Sequence, residues 1–155
     1  MRNAFSMITA IFVIVIMASV AAFVLNLSGK VVKSTTTQYQ HEQAELYAKS
    51  YTEYAILAVT GHDRAGGCLK DITGHIGHPS TGDGYQIHTR IAYIVNGTII
   101  PFNNTNCSST RLLSTGVTET STPMSILVDV YVDYKDPDNP SGPWLTVHRR
   151  SIQKI

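Results

Sequence analysis

AFSMITAIFVIVIMASVAAFVLNL, running from Ala4 to Leu27, decides the architecture. It holds no charged side chain, and Ile, Val, Leu, Phe, Met and Ala fill most of it. A hydrocarbon layer about 30 Å thick takes roughly 20 helical residues to cross. The polar members of the run are Ser6, Thr9, Ser19 and Asn26. Ser and Thr hydroxyls can return to a backbone carbonyl one turn earlier, so a helix in lipid tolerates them. Everything after Leu27 is too hydrophilic to follow. The run therefore reads as a transmembrane helix over residues 5–27 carrying one soluble domain. The competing reading, a buried core helix, needs later helices long enough to wrap it, and none is evident.

Working outward, the chain has 155 residues, which allows one domain beyond the helix. A net charge of +1 with 15% charged residues gives no electrostatic case for nucleic acid as a partner. The two cysteines, Cys68 (AGGCLKD) and Cys107 (NTNCSST), both lie beyond the apolar run in Gly-, Ser- and Asn-rich surroundings. An even count on the far side of a membrane points to a disulfide. Closing that loop would add about 3–4 kcal/mol in the chain-entropy model. Two free thiols, or thiols on a metal, are the alternatives.

The first nine residues, MRNAFSMIT, resemble the leader and mature start of type IV pilins and type II secretion pseudopilins. In that family a short basic leader ends in Gly or Ala, Phe follows, and a Ser/Thr-Leu/Met-Ile triplet leads into a long apolar helix. Here Arg2 is the basic residue and Ala4 closes a leader of residues 1–4. Phe5, Ser6, Met7 and Ile8 take the first four mature positions. The resemblance implies that prepilin peptidase cuts between Ala4 and Phe5 and methylates the new Phe5 amine. The sequence departs from the family at Thr9, an assembly position where most members carry Glu. A carboxylate inside a bilayer costs about 3 kcal/mol or more unless paired, so a retained Glu implies a partner. Thr9 implies none, which points to a minor or tip-proximal subunit rather than a major pilin.

Two other readings of the N-terminus stand beside this one. Val20-Ala21-Ala22 fits the small-residue rule for a secretory signal cut after Ala22, but Phe23, Val24 and Leu25 continue the apolar run past that site. The segment also reads as a plain uncleaved anchor. Arg2 before the helix and Lys30 and Lys33 after it argue, by the positive-inside rule, for a cytoplasmic domain. The cysteines and the pilin resemblance argue for the opposite side: a single-pass protein of the bacterial inner membrane whose C-terminal domain is periplasmic, or extracellular after assembly.

Residues 28–60 continue as an amphipathic helix. Gly29 and Ser34 to Thr37 are poor helix formers and suggest a bend. From Gln38 the pattern recovers. Ala44, Tyr47, Tyr51, Tyr54 and Ala58 recur at three- and four-residue steps and form the expected seam. Glu45 and Lys49 are a favourable i, i+4 pair. Gly61 is a natural stop.

Residues 61–155 read as a β-rich domain. The Gly-rich stretch from His62 to Gly84 reads as loop, with room for a short turn of helix. Tyr85 to Val95 alternates, with Tyr85, Ile87, Ile91, Tyr93 and Val95 on one side and Gln86, His88 and Arg90 on the other. Asn96-Gly97 signals a hairpin, with Thr98 to Phe102 returning. Asn103 to Thr122 reads as mostly loop. Met124 to Tyr134 alternates most cleanly, KDPDNPSGP is turn chemistry, and Trp144 to Ile152 is a last strand. Pairing Tyr134 with Trp144 would set Asp129 opposite Arg149. The fold class is therefore α+β: a long N-terminal helix, membrane-spanning in its first half and amphipathic in its second, packed on an antiparallel sheet of about four strands.

Chemistry-bearing clusters are sparse. His75 and His78, with His62 and Cys68 nearby, match no standard zinc spacing. Asp133, Asp136, Asp138 and Asn139 make an oxygen-rich stretch of the kind calcium favours, and some major pseudopilins carry such a site near the C-terminus. EF-hand spacing and its closing Glu are missing here, so no metal or other cofactor is expected. No nucleophile-elbow, phosphate-loop, HExxH or dinucleotide motif occurs, so the expectation is a non-enzymatic protein. Its expected partners are membrane lipid, other pilin or pseudopilin subunits and prepilin peptidase. The alternative is a membrane-anchored extracytoplasmic binding module outside any filament. A metal-dependent enzyme is a third reading.

Overall fold

The computed structural model describes residues 2–62, 67–95, 112–114 and 124–155, with side chains described for 7–62, 67–95 and 124–155. One helix, α1, spans Arg2–Gly61. The strands are β1 (Asp71–His78), β2 (Asp83–Val95), β3 (Leu112–Ser114), β4 (Met124–Tyr134) and β5 (Leu145–Lys154). The fold is α+β, one long N-terminal helix packed on an antiparallel sheet. The chain divides into two compact units, one ending at Gln40 and one beginning at His41.

The first unit is helix alone. Its side chains from Met7 to Tyr39 are exposed, including Phe12, Ile14, Met17, Phe23 and Leu25. It is long and apolar enough to cross a membrane, and none of its most apolar stretch is buried within the protein. Helix hydrogen bonding passes through the Ser34 to Thr37 stretch without interruption. There the hydroxyls of Thr35, Thr36 and Thr37 donate to the carbonyls of Val31, Val32 and Lys33, at 2.9, 3.1 and 3.0 Å. Folding the hydroxyl back on the preceding turn satisfies it without breaking the ladder.

In the second unit the sheet order is β1-β2-β4-β5, antiparallel throughout, with β3 pairing parallel to β2 at Tyr93 and Ile94. Strand alternation sends Ile87, Thr89, Ile91, Tyr93 and Val95 of β2 to one face, with Met124, Ile126, Val128, Val130, Val132 and Tyr134 of β4. Each fully buried Ile or Val contributes about 1.5–3 kcal/mol. The last turns of α1 cover this face through Ala44, Ala48, Thr52, Ala55 and Val59. Thr52 donates its buried hydroxyl to Ala48 O at 2.7 Å. Tyr47 and Tyr51 flank the seam. The ring of Tyr47 lies 5.0 Å from that of Tyr85, which lies 5.7 Å from that of Tyr134. Tyr134 Oη reaches His41 Nδ1 at 3.4 Å, and burial pushes the Tyr134 hydroxyl above its ordinary pKa.

Two glycines shape the β1 side. A Cβ at Gly74 would collide with Tyr51 Oη, so a bare backbone lets the helix aromatic settle on the strand. A single 3₁₀ turn over Pro79–Thr81 joins β1 to β2 and ends in Gly82 at φ +83°, a left-handed position that favours glycine.

Three sequence expectations are corrected here. The stretch from His62 to Gly84 is not simply loop, because β1 forms within it by pairing along β2 from Asp71↔Arg90 to His78↔Asp83. Within the stretch from Asn103 to Thr122, expected to be mostly loop, the described residues form the short strand β3. The helix seam is rotated from the Tyr-rich stripe. Tyr54 is exposed, and alanines meet the sheet because the bulky Ile and Val side chains of β2 and β4 already fill the interface. The β4–β5 register is shifted by one, pairing Tyr134 with Leu145 and Asp129 with Arg150. That shift sets Val147 opposite Val132 on the core side, whereas the expected register would have placed Thr146 there. The Asn96-Gly97 hairpin and the strand from Thr98 to Phe102 lie outside the described residues.

Candidate functional site

The polar face of the sheet, opposite the helix, gathers most of the chain's chemistry. Because facing residues in an antiparallel pair share a side, cross-strand partners line up in rows perpendicular to the strands. One row reads Asp71, Arg90, Asp129, Arg150 across β1, β2, β4 and β5. Its charges alternate in sign. The next reads Thr73, His88, Tyr131, His148, and the third His75, Gln86, Asp133, Thr146.

Asp129 is the best-tied member. Arg150 Nε donates to Oδ1 at 2.7 Å and Nη2 to Oδ2 at 3.1 Å, a two-pronged pairing. His148 Nε2 lies 2.9 Å from Oδ1, and since a carboxylate only accepts, that nitrogen carries the proton. The Arg150 hydrogen bond holds the Asp129 carboxyl below its ordinary pKa, burial opposes it, and His148 adds to the lowering. The imidazole of His148 stacks flat on Tyr131, centroids 4.4 Å apart and planes within 9°. Asp71 Oδ1 stands 3.7 Å from His88 Nε2. Thr146 donates its hydroxyl to Asp133. A shallow open groove runs over Gln86, His88, Arg90, Tyr131, Asp133 and Thr146. Hydrogen-bond donors, acceptors and a ring face together suit binding.

The structure disperses the metal candidates drawn from the sequence. Asp133 engages Thr146 on the sheet, while Asp136 Oδ1 accepts the Asp138 backbone N–H at 3.0 Å inside the β4–β5 turn. Lys135 Nζ donates to Pro140 O at 2.7 Å across the same turn and sits 5.0 Å over the Trp144 ring. His75 projects from β1 on the polar face and His78 closes that strand. Among the described residues no three His, Cys, Asp or Glu side chains converge as a metal site would need. Cys68 is partly buried against the core, and no described cysteine is a free thiol. Its expected partner, Cys107, lies outside the described residues. The backbone at Ala4 and Phe5 is helical, and Thr9 sits on the exposed first unit.

Sequence reasoning foresaw a charged cross-strand partner for Asp129 but missed the row as a whole. The signal was the spacing of Asp71, Arg90, Asp129 and Arg150, and it needs the β1 and β5 registers to be seen. Compared with known protein families, curated proteins and solved structures, the chain matches none.

Proposed function

We propose that this chain is a structural subunit, a minor pilin or pseudopilin, of a type IV pilus or type II secretion filament. The carrying observation is one uninterrupted helix whose stretch from Met7 to Leu27 is apolar and exposed and whose last turns form the seam of an antiparallel-sheet domain. An anchor that later exchanges lipid for neighbouring helices needs such a construction. The MRNAFSMIT start supports the same reading. In it, prepilin peptidase cuts between Ala4 and Phe5 and methylates Phe5. The helix waits in the inner membrane with the domain outside the cytoplasm, and Cys68 pairs with Cys107. Thr9, in place of the usual Glu, makes helix exchange independent of a buried ion pair. The function is assembly rather than catalysis.

Mass spectrometry of the mature N-terminus tests this. A chain starting at N-methylated Phe5 is expected; an intact Met1 or a start at Phe23 refutes it. The polar groove over His88, Arg90 and Tyr131 favours a second reading, a monomeric membrane-anchored binding module, which predicts an unprocessed N-terminus and no co-purifying filament components.

A further inference from the structure

The sheet ends on two strands that carry no outer partner among the described residues, β1 and β5. β5 pairs with β4 over ten consecutive positions without a bulge, and its sequence, LTVHRRSIQK, holds no proline and no acid. Such an edge is a template for another strand. We propose that it takes β1 of a second copy of this chain, extending the sheet head to tail.

Direction, charge and packing select that occupant. β1 runs antiparallel to β2, β2 to β4 and β4 to β5, so a second sheet continuing the first brings its β1 antiparallel to β5. Setting Arg150 opposite Asp71 of the second copy continues the alternating row through the junction. Arg150 is 59% exposed and its guanidinium keeps donors beyond those spent on Asp129, while Asp71 is 38% exposed. The same register sets His148 opposite Thr73 and Thr146 opposite His75. On the helix side it sets Leu145, 37% exposed on its own, opposite the partly buried Ile76. Pairing β5 antiparallel with a second β5 about its centre would instead set Arg149 and Arg150 opposite one another, and like charges facing across strands repel. The basic edge thus rejects its own image and accepts the strand that carries Asp71. Such a head-to-tail contact uses two different patches and leaves one of each free, so it propagates rather than closing as a dimer. The inference rests on the filament reading only in taking neighbouring copies to be the partner.

Cross-linking in membranes of cells expressing the full chain tests it. Facing Cα atoms in an antiparallel pair lie about 4.5–5.5 Å apart, within disulfide range. Thr73→Cys and His148→Cys chains, co-expressed and mildly oxidised, should give a dimer, and one chain bearing both changes a ladder of multimers. Neither single variant alone, nor the wild type, should cross-link. Arg150→Glu in the His148→Cys chain should lower the yield about tenfold or more, as turning an attraction into a repulsion does. Adding Asp71→Arg to the Thr73→Cys chain should restore it. Because Arg150→Glu also removes both hydrogen bonds to Asp129, Asp71→Arg against the unaltered Arg150 is the second variant, with the same loss expected. No cross-link, a dimer from His148→Cys alone, or indifference to charge reversal would overturn the proposal. A processed N-terminus without cross-links sinks the strand pairing alone; cross-links in chains with an intact Met1 support the pairing and sink the filament reading alone.

Discussion

Thr89 lies at the centre of β2 on the helix-covered face, fully buried, between Ile87 and Ile91 and in register with Ile72 and Val130. Its Oγ1 has no hydrogen-bond partner among the described residues. An unsatisfied buried hydroxyl costs about 1–3 kcal/mol. Thr89→Val keeps the branched shape and replaces that hydroxyl with a methyl whose burial adds up to about 0.8 kcal/mol. Since realistic unfolded chains already bury part of such surface, a net gain of about 1–2 kcal/mol is expected. Trp144, the chain's sole tryptophan, reports β4–β5 unfolding through its contact with Lys135. Urea titration of the full chain in detergent micelles, followed by Trp144 fluorescence, should show a higher midpoint at unchanged slope. Thr89→Ser, which keeps the hydroxyl and drops the methyl, should fall below wild type by about 1 kcal/mol. A less stable Thr89→Val would refute the reasoning, because it would mean the hydroxyl is engaged after all.

Other outcomes follow from the same geometry. Gly74→Ala should destabilise the domain by about 1–3 kcal/mol through its clash with Tyr51 Oη, and Tyr51→Phe in the same chain should recover part of that loss in a double-mutant cycle read by thermal unfolding. Asp129, held below its ordinary value near 3.8 mainly by Arg150, stabilises the fold fully above that pH and loses the contribution as pH falls through its lowered folded value. Acid titration followed by circular dichroism should therefore be shallower for Asp129→Asn, and an identical profile would contradict the assignment. Reducing the expected Cys68–Cys107 bridge should lower stability by about 3–4 kcal/mol, and thiol labelling without reductant should modify neither cysteine.

The chain declares its β2 and β4 strands openly, because both are long, alternate strictly and bury one side. β1 was hidden: Gly74, Gly77, His75 and His78 have little strand preference, and the strand exists because β2 offers it an edge. The helix seam was misphased because tyrosines look like core. Burial in a helix-on-sheet layer depends on which side already supplies the bulk, and here the sheet does. The one-residue register slip arose in the turn from Lys135 to Trp144, whose length alone does not say which β5 side chains face inward. Val147 decides that only once its neighbour Val132 is known. The charge row on the polar face depends on both of those registers, so it appears only in three dimensions.

α1 runs on without a break where the first unit ends at Gln40 and the second begins at His41, yet the two units have separate contacts. Among the described residues every buried side chain comes from Ala44 or later, so the described core draws nothing from the exposed apolar stretch. Selection could retune that stretch for another bilayer or another helical neighbour while the domain kept its shape. A graft beginning near His41 on a foreign span would carry the folded domain with it.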